Sequence, residues 1–165
     1  MRAVAAAQPQ PQPANQPEGK KTVDAFTGTW TGDVTISMSG RAPEKVKATA
    51  TCRKVAMGAA VSCDVKGQGK AAMPIDQTCL IGANVEGAAG VHLMCASATG
   101  EIHDHVGGWS GGQLQFQPYR FQMSGGEASE TVSFTWPASG KILVQARTAM
   151  PNGRIGTVEY NLKRT

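Results

Sequence analysis

Phe26, Gly28, Trp30, Gly32, Val34, Ile36 and Met38 are apolar or glycine, and every residue between them is Thr, Ser or Asp. A strand sends successive side chains to opposite faces, so this run is a long β-strand with one dry face and one wet face. The same alternation recurs to the end of the chain. Val46, Ala48, Ala50 and Cys52 share a face, as do Val61, Cys63 and Val65, then Ile142, Val144 and Ala146, then Val158, Tyr160 and Leu162. Glycine-containing turns separate these runs every ~8–12 residues, the spacing of a sandwich or barrel, and about nine or ten strands are expected. No segment carries an i, i+3, i+4, i+7 apolar pattern long enough to predict a helix.

A chain of 165 residues suffices for one domain with a sizeable core. Its aromatic content is low (three Trp, two Tyr, four Phe) against 20 glycines. Small side chains fill an interior poorly, so an enclosed space is expected to be partly empty. The net charge of +4 is spread along the chain, and no aromatics interleave with the basic residues. That excludes a base-stacking platform, and no nucleic-acid partner is expected. No stretch approaches the ~20 apolar residues of a membrane helix, so no transmembrane segment is expected. Residues 1–21 are read as a disordered Pro/Gln-rich linker and residues 22–165 as the β-domain. Ala5, Ala6 and Ala7 resemble the cleavage end of a secretory signal without its apolar region; an ordinary Ala-rich terminus is the alternative.

The four cysteines test the strand pairing. If each hairpin is set by its own glycine-containing turn, Cys52 lies opposite Cys63 around Met57-Gly58. Cys79 then lies opposite Cys95 around 86–88, with Ile81 facing Leu93 and Ala83 facing Val91. Both registers also match apolar face to apolar face, and directly opposed strand residues are within bridging range. Disulfides Cys52–Cys63 and Cys79–Cys95 are therefore expected, which places the protein in an oxidising compartment, periplasmic or secreted. Four reduced, buried cysteines in a cytosolic core are the alternative. No C-x-x-C spacing points to a cysteine metal site. For the last hairpin, the same matching of faces favours a three-residue turn at Asn152-Gly153-Arg154, pairing Val144 with Leu162 and Ala146 with Tyr160.

Gly108-Trp109-Ser110-Gly111-Gly112 matches the G-x-S-x-G of hydrolases, but that motif needs a helix after the serine. Here Gln113 to Phe116 alternate as another strand, so a loop is expected and no catalytic residue is assigned. His103 and His105 fall on one face of a strand, close enough to share a metal ion or flank one polar ligand, while Asp104 points to the other face. Two solvent-facing imidazoles are the plainer alternative.

Gly28-x-Trp30 at the start of a long first strand, followed only by sequential hairpins, resembles the lipocalin and fatty-acid-binding-protein (calycin) superfamily. In that superfamily the tryptophan lies at the closed end of an up-and-down barrel under a basic side chain from the C-terminus. The resemblance therefore implies a single antiparallel lipocalin-like barrel in which Arg164 covers Trp30. A bacterial family of uncharacterised, often secreted lipocalin-like domains is similar at three places. These are Phe26 to Trp30, Gly100 to Trp109 and Glu159 to Arg164. The second lipocalin motif, Thr-Asp-Tyr, has no counterpart, nor does the C-terminal histidine of haem-binding nitrobindin-like barrels.

These readings converge on a secreted or periplasmic barrel that binds a small, mostly apolar molecule in its lumen, with Trp30, Val34, Ile36, Phe116, Phe134, Trp136 and Tyr160 as candidate lining residues and no cofactor. Two alternatives stand beside it. One is an isomerase, cyclase, metal or haem barrel working through His103 and His105. The other is a non-catalytic interaction module, which a solid interior would favour. No oligomeric state is implied.

Overall fold

A computed structural model describes residues 16–68, 74–84 and 90–165 of the protein. The first alternating run forms β1 (Gly28–Met38). Ten further strands follow: β2 (Glu44–Val55), β3 (Ala60–Gln68), β4 (Asp76–Asn84), β5 (Gly90–Ser97), β6 (Ile102–Ser110), β7 (Gln113–Phe116), β8 (Tyr119–Met123), β9 (Gly126–Ala138), β10 (Lys141–Ala149) and β11 (Ile155–Arg164). Each pairs antiparallel with its sequence neighbour through β7, β9 then pairs with β7 and β10, and β11 returns to β1. The result is a closed, ten-position antiparallel barrel of the lipocalin-like kind.

Eleven strands fill ten positions because β7 and β8 share one. β9 pairs Phe134 with Leu114 of β7 and Glu130 with Tyr119 of β8, so the register slips by one residue between them. Pro118 lies in this interval and cannot donate to a ladder. The slip also switches parity. Leu114 and Phe116 share the inward face before it, and Tyr119 and Phe121 share the face of Glu130 after it. β6 keeps its ladder to β7 only as far as Gly107↔Phe116, and β8 is laddered to β9 alone.

Both expected disulfides are present, Cys52–Cys63 and Cys79–Cys95, and no described cysteine is free. Their registers are Cys52↔Cys63 and Cys79↔Cys95, with Ile81↔Leu93 and Ala83↔Val91. The turn expected at 86–88 lies outside the described residues. Cys63 also faces Cys79 across β3 and β4, and Cys95 faces His103 across β5 and β6. All four cysteines and His103 thus occupy one rung of the sheet.

The β10–β11 register differs from expectation. Val144 faces Tyr160, Ala146 faces Val158 and Ala149 faces Ile155, so the loop spans five residues rather than three. Pro151 inside the loop has no N–H to give. The segment closes through its ends instead, with Met150 N donating to Arg154 O, and Arg154 N donating to Asn152 Oδ1. Inward and outward faces survive because the shift is two residues.

A helix also forms, α1 (Gln16–Phe26), and the boundary expected between residues 21 and 22 falls inside it. Thr22, Val23 and Phe26 are buried, while Lys20 and Asp24 face solvent. This apolar stripe is only three residues wide along the chain, too short to register as periodicity. The helix closes one end of the barrel. Phe26 packs edge-on to Phe134 and Trp136, and Trp30 Nε1 donates to the Phe26 carbonyl at 2.7 Å. Trp109 Nε1 donates to Thr22 Oγ1, Lys21 lies over the Trp109 ring, and Trp109 stacks on Trp136. Arg164 sits over the Trp30 ring with its guanidinium 4.5 Å from the centroid, and donates to the Ala25 carbonyl.

Outside the barrel, Asp24 accepts from Lys20 and from Lys54 of β2, which holds its carboxyl down at about 2. A carboxylate with a depressed folded-state pKa stabilises the folded state above its ordinary value near 3.8, and that contribution is lost as pH falls through about 2. The α1–β2 tether should therefore release as the pH falls toward about 2, well below the ordinary value. Trp109 fluorescence should report an acid step in this window that is absent in Asp24→Asn.

Candidate functional site

The end opposite α1 is bounded by the β1–β2, β5–β6, β8–β9 and β10–β11 turns, and no described helix lies across it. From this end a cavity of about 400 Å³ runs inward through the barrel. Its wall follows directly from strand parity. Ile81, Leu93, Val132, Val144 and Tyr160 are inward-facing positions of five different strands, and both disulfides form part of the lining. Among the expected lining residues, Trp30 and Phe134 lie at its deep end, and Ile36 and Tyr160 along its wall. Val34, Phe116 and Trp136 do not border it. Val34 is fully buried against Ile36 and Ala48, Phe116 packs against Phe134, and Trp136 belongs to the closed-end stack.

Polar residues of the open end, among them Asp76, Gln77 and Glu101, also line the cavity, and a polar corner lies on its wall to which both expected histidines belong. His103 and His105 turn inward from β6, and His105 is only 2% exposed. Glu130 of β9 reaches across the place where β6 and β8 share no ladder. Its carboxylate stands 3.3 Å from His103 Nδ1 and 3.7 Å from His105 Nε2. Thr148 Oγ1 lies at 3.5 Å from the same carboxylate. Tyr119 and Phe121 of β8 pack on His103, with ring centroids at 5.0 and 4.5 Å, and Tyr119 also touches His105.

The two imidazoles are held in different electrostatic states. Hydrogen bonding to Glu130 raises the His103 pKa, because the carboxylate favours the protonated ring. Burial lowers that of His105, since desolvation penalises its charged form more than Glu130 favours it. The Gln117 backbone opposes this shift more weakly. The Tyr160 hydroxyl is pushed up to about 12 by burial and by the charge of Glu130, with the Gln77 side chain opposing, so it stays protonated at neutral pH. The corner thus presents one readily protonated imidazole, one imidazole biased to neutrality and a carboxylate to the lumen, which the Tyr160 phenol also lines.

His92 is not part of this group. It faces outward, with Nδ1 3.3 Å from Asp104 Oδ1. Ser110 ends β6 at an exposed hairpin turn in which Gly111 and Gly112 both have positive φ (55° and 80°). With β7 rather than a helix following, the G-x-S-x-G string is turn chemistry. Glu130 was missed by motif reading, although its parity gives it away: it is an acidic residue in phase with Ala128, Val132 and Phe134 on a buried face.

No family model and no curated protein matches the chain in sequence. Its fold is similar to that of an S-type phycobiliprotein lyase from Guillardia theta, with a TM-score of 0.59 at 9% identity over 90% of this chain and 93% of the lyase. It is also similar to a protein of unknown function of the DUF3598 family from Nostoc punctiforme, with a TM-score of 0.57 and 13% identity. That match spans 94% of this chain and only 51% of the Nostoc protein.

Proposed function

We propose that this protein is an extracytoplasmic barrel that binds a small, mostly apolar molecule in its lumen. The observation that carries the reading is the cavity of about 400 Å³, which is walled mostly by aliphatic and aromatic side chains, with His103, His105 and Glu130 on one side and Asp76, Gln77 and Glu101 toward its open end. Drug-sized ligands occupy pockets of ≈ 300–1,000 Å³ built this way, apolar contacts supplying affinity and a few polar groups fixing orientation. His103, Glu130 and Tyr160 would orient a polar end of the ligand, and the deep wall near Trp30 would take its apolar end. The likeness of the fold to a phycobiliprotein lyase supports a working lumen. The two disulfides support a periplasmic or secreted location, and the three sequence pieces named above support a place among the bacterial lipocalin-like domains. A hollow interior argues against a purely structural module.

Ala146 faces the cavity from β10 and carries no polar function, which makes it the position at which to block the lumen. Ala146→Phe is expected to weaken binding of apolar fluorescent probes by more than about tenfold, since a blocked pocket forfeits apolar burial worth ≈ 1.5–3 kcal/mol per large side chain. Near-UV circular dichroism should remain native. Unchanged probe affinity in a folded Ala146→Phe protein would mean that probes bind elsewhere, and the reading would fall. Native mass spectrometry of protein from its own host would identify a retained ligand directly.

A second reading is favoured by one observation, the inward orientation of both imidazoles around Glu130. It is acid–base catalysis on a lumenal substrate, as in an isomerase or cyclase, with His103 as acid and His105 as base.

A further inference from the structure

We infer that His103, His105 and Glu130 form a binding site for a divalent transition-metal ion of the zinc type on the wall of the lumen. The inference uses two residues of the apolar-ligand reading, His103 and Glu130, but does not depend on it, because the ion is tested with no organic molecule present.

The geometry comes first. One ligand atom from each residue can be chosen so that all three lie within 4.8 Å of one another. An ion held at ≈ 2.0–2.1 Å by tetrahedral ligands sets those ligands roughly 3.4 Å apart. His103 Nδ1 stands 3.3 Å from Glu130 Oε2 and His105 Nε2 3.7 Å from Glu130 Oε1, so the carboxylate presents one oxygen to each ring at close to that separation. Side-chain rotation alone has to close the remaining gap, and two of the ligands are two residues apart on a single strand, so the backbone sets their spacing.

The surroundings fit a cation as well. Glu130 is 18% exposed, and its ion-pair partners among the described residues are these two imidazoles. A carboxylate this far from water is stabilised by a nearby positive charge. Lysine and arginine, which pair with Asp24, Asp33, Asp64 and Glu127 on the exterior, supply none here.

The donor set then selects the metal. Two imidazoles and one carboxylate suit Zn²⁺, Co²⁺, Fe²⁺ or Ni²⁺, whereas Ca²⁺ and Mg²⁺ prefer oxygen ligands. Three protein ligands leave the remaining coordination positions to water or to a group of a lumenal molecule, the pattern of open rather than purely structural sites. Cys95 lies directly opposite His103 but is committed to its disulfide, so no thiolate competes while the protein is oxidised.

The test uses the oxidised full chain, stripped with EDTA and titrated with Zn²⁺ or Co²⁺ alone. Calorimetry should show one Zn²⁺ per chain, and Co²⁺ should give visible d–d bands. The thermal midpoint should rise with excess Zn²⁺ and stay unchanged with Ca²⁺ or Mg²⁺. Loss of a ligand should exceed the 10–100-fold cost of losing a residue that merely orients one, so His103→Ala and Glu130→Gln should each weaken Zn²⁺ by more than about 100-fold. Histidine NMR of the unsubstituted protein keeps the inference testable if a variant fails to fold. Zn²⁺ should perturb the resonances of His103 and His105 and leave those of His92 in place. Absence of saturable uptake, or perturbation of His92 alone, would overturn the site.

Discussion

Replacing all four cysteines with alanine should cost the protein about 6 kcal/mol, and each pair alone about 3 kcal/mol. The bonds close segments with sequence separations of 11 and 16, and chain-entropy arguments assign roughly 3 kcal/mol to loops of this size. A domain is stable by only ≈ 5–15 kcal/mol, so the loss is comparable to the whole. The effect should be larger than that of most core truncations for a structural reason. The two bonds lie on one rung and tie β2 to β3 and β4 to β5, on the side of the barrel whose lining is thinnest in aromatics. Urea unfolding of oxidised and Cys→Ala proteins measures the difference directly, and reductant should reproduce it. Near-identical midpoints would show that the sheet closes without them.

Trp30→Ala is expected to be the most damaging single substitution, at about 4–5 kcal/mol, the upper range for truncating a buried aromatic. The ring is 2% exposed and joins three elements. Its Nε1 satisfies the last-turn carbonyl of α1, its face carries Arg164 of β11, and its body packs on Phe26 at the deep end of the lumen. Trp30→Phe separates these contributions. It keeps an aromatic body but leaves the Phe26 carbonyl without its donor, for a loss of about 1–3 kcal/mol. Arg164→Met should cost less, ≈ 0.5–1 kcal/mol, because the guanidinium is exposed. Denaturant midpoints rank the three variants. Tryptic cleavage at Lys20 and Lys21 should accelerate in the same order as α1 undocks. Equal effects for Trp30→Ala and Arg164→Met would show that the tryptophan does not anchor the helix.

The parts legible in the residues were those governed by short-range rules. Period-two alternation located the strands, and hairpin geometry plus face matching placed Cys52 on Cys63 and Cys79 on Cys95. The same matching reached its limit at the β10–β11 hairpin. There a three-residue and a five-residue loop preserve the same faces, and parity cannot distinguish registers two residues apart. Local main-chain and Asn152 hydrogen bonds around Pro151 decided it. α1 escaped notice because a helix capping a barrel end needs only Thr22, Val23 and Phe26 on its buried side.

His103 and His105 were visible as a pair because their separation of two residues is itself a strand property. Glu130 was not tied to them, since it lies 25 and 27 positions further along the chain and only closure of the sheet determines which strand faces which. Pro118 completes the corner by interrupting the shared β7–β8 position, which switches parity and brings Tyr119 and Phe121 against the imidazoles. Alternation, cysteine spacing and turn residues are encoded within a few neighbouring positions, and they specified an all-β chain with two bridged hairpins. The closed barrel was expected from the resemblance at Gly28-x-Trp30, but the shared β7–β8 position, the helix over one end and the histidine–glutamate corner depend on contacts between distant strands. Those contacts exist only once β11 has returned to β1, so they belong to the tertiary structure alone.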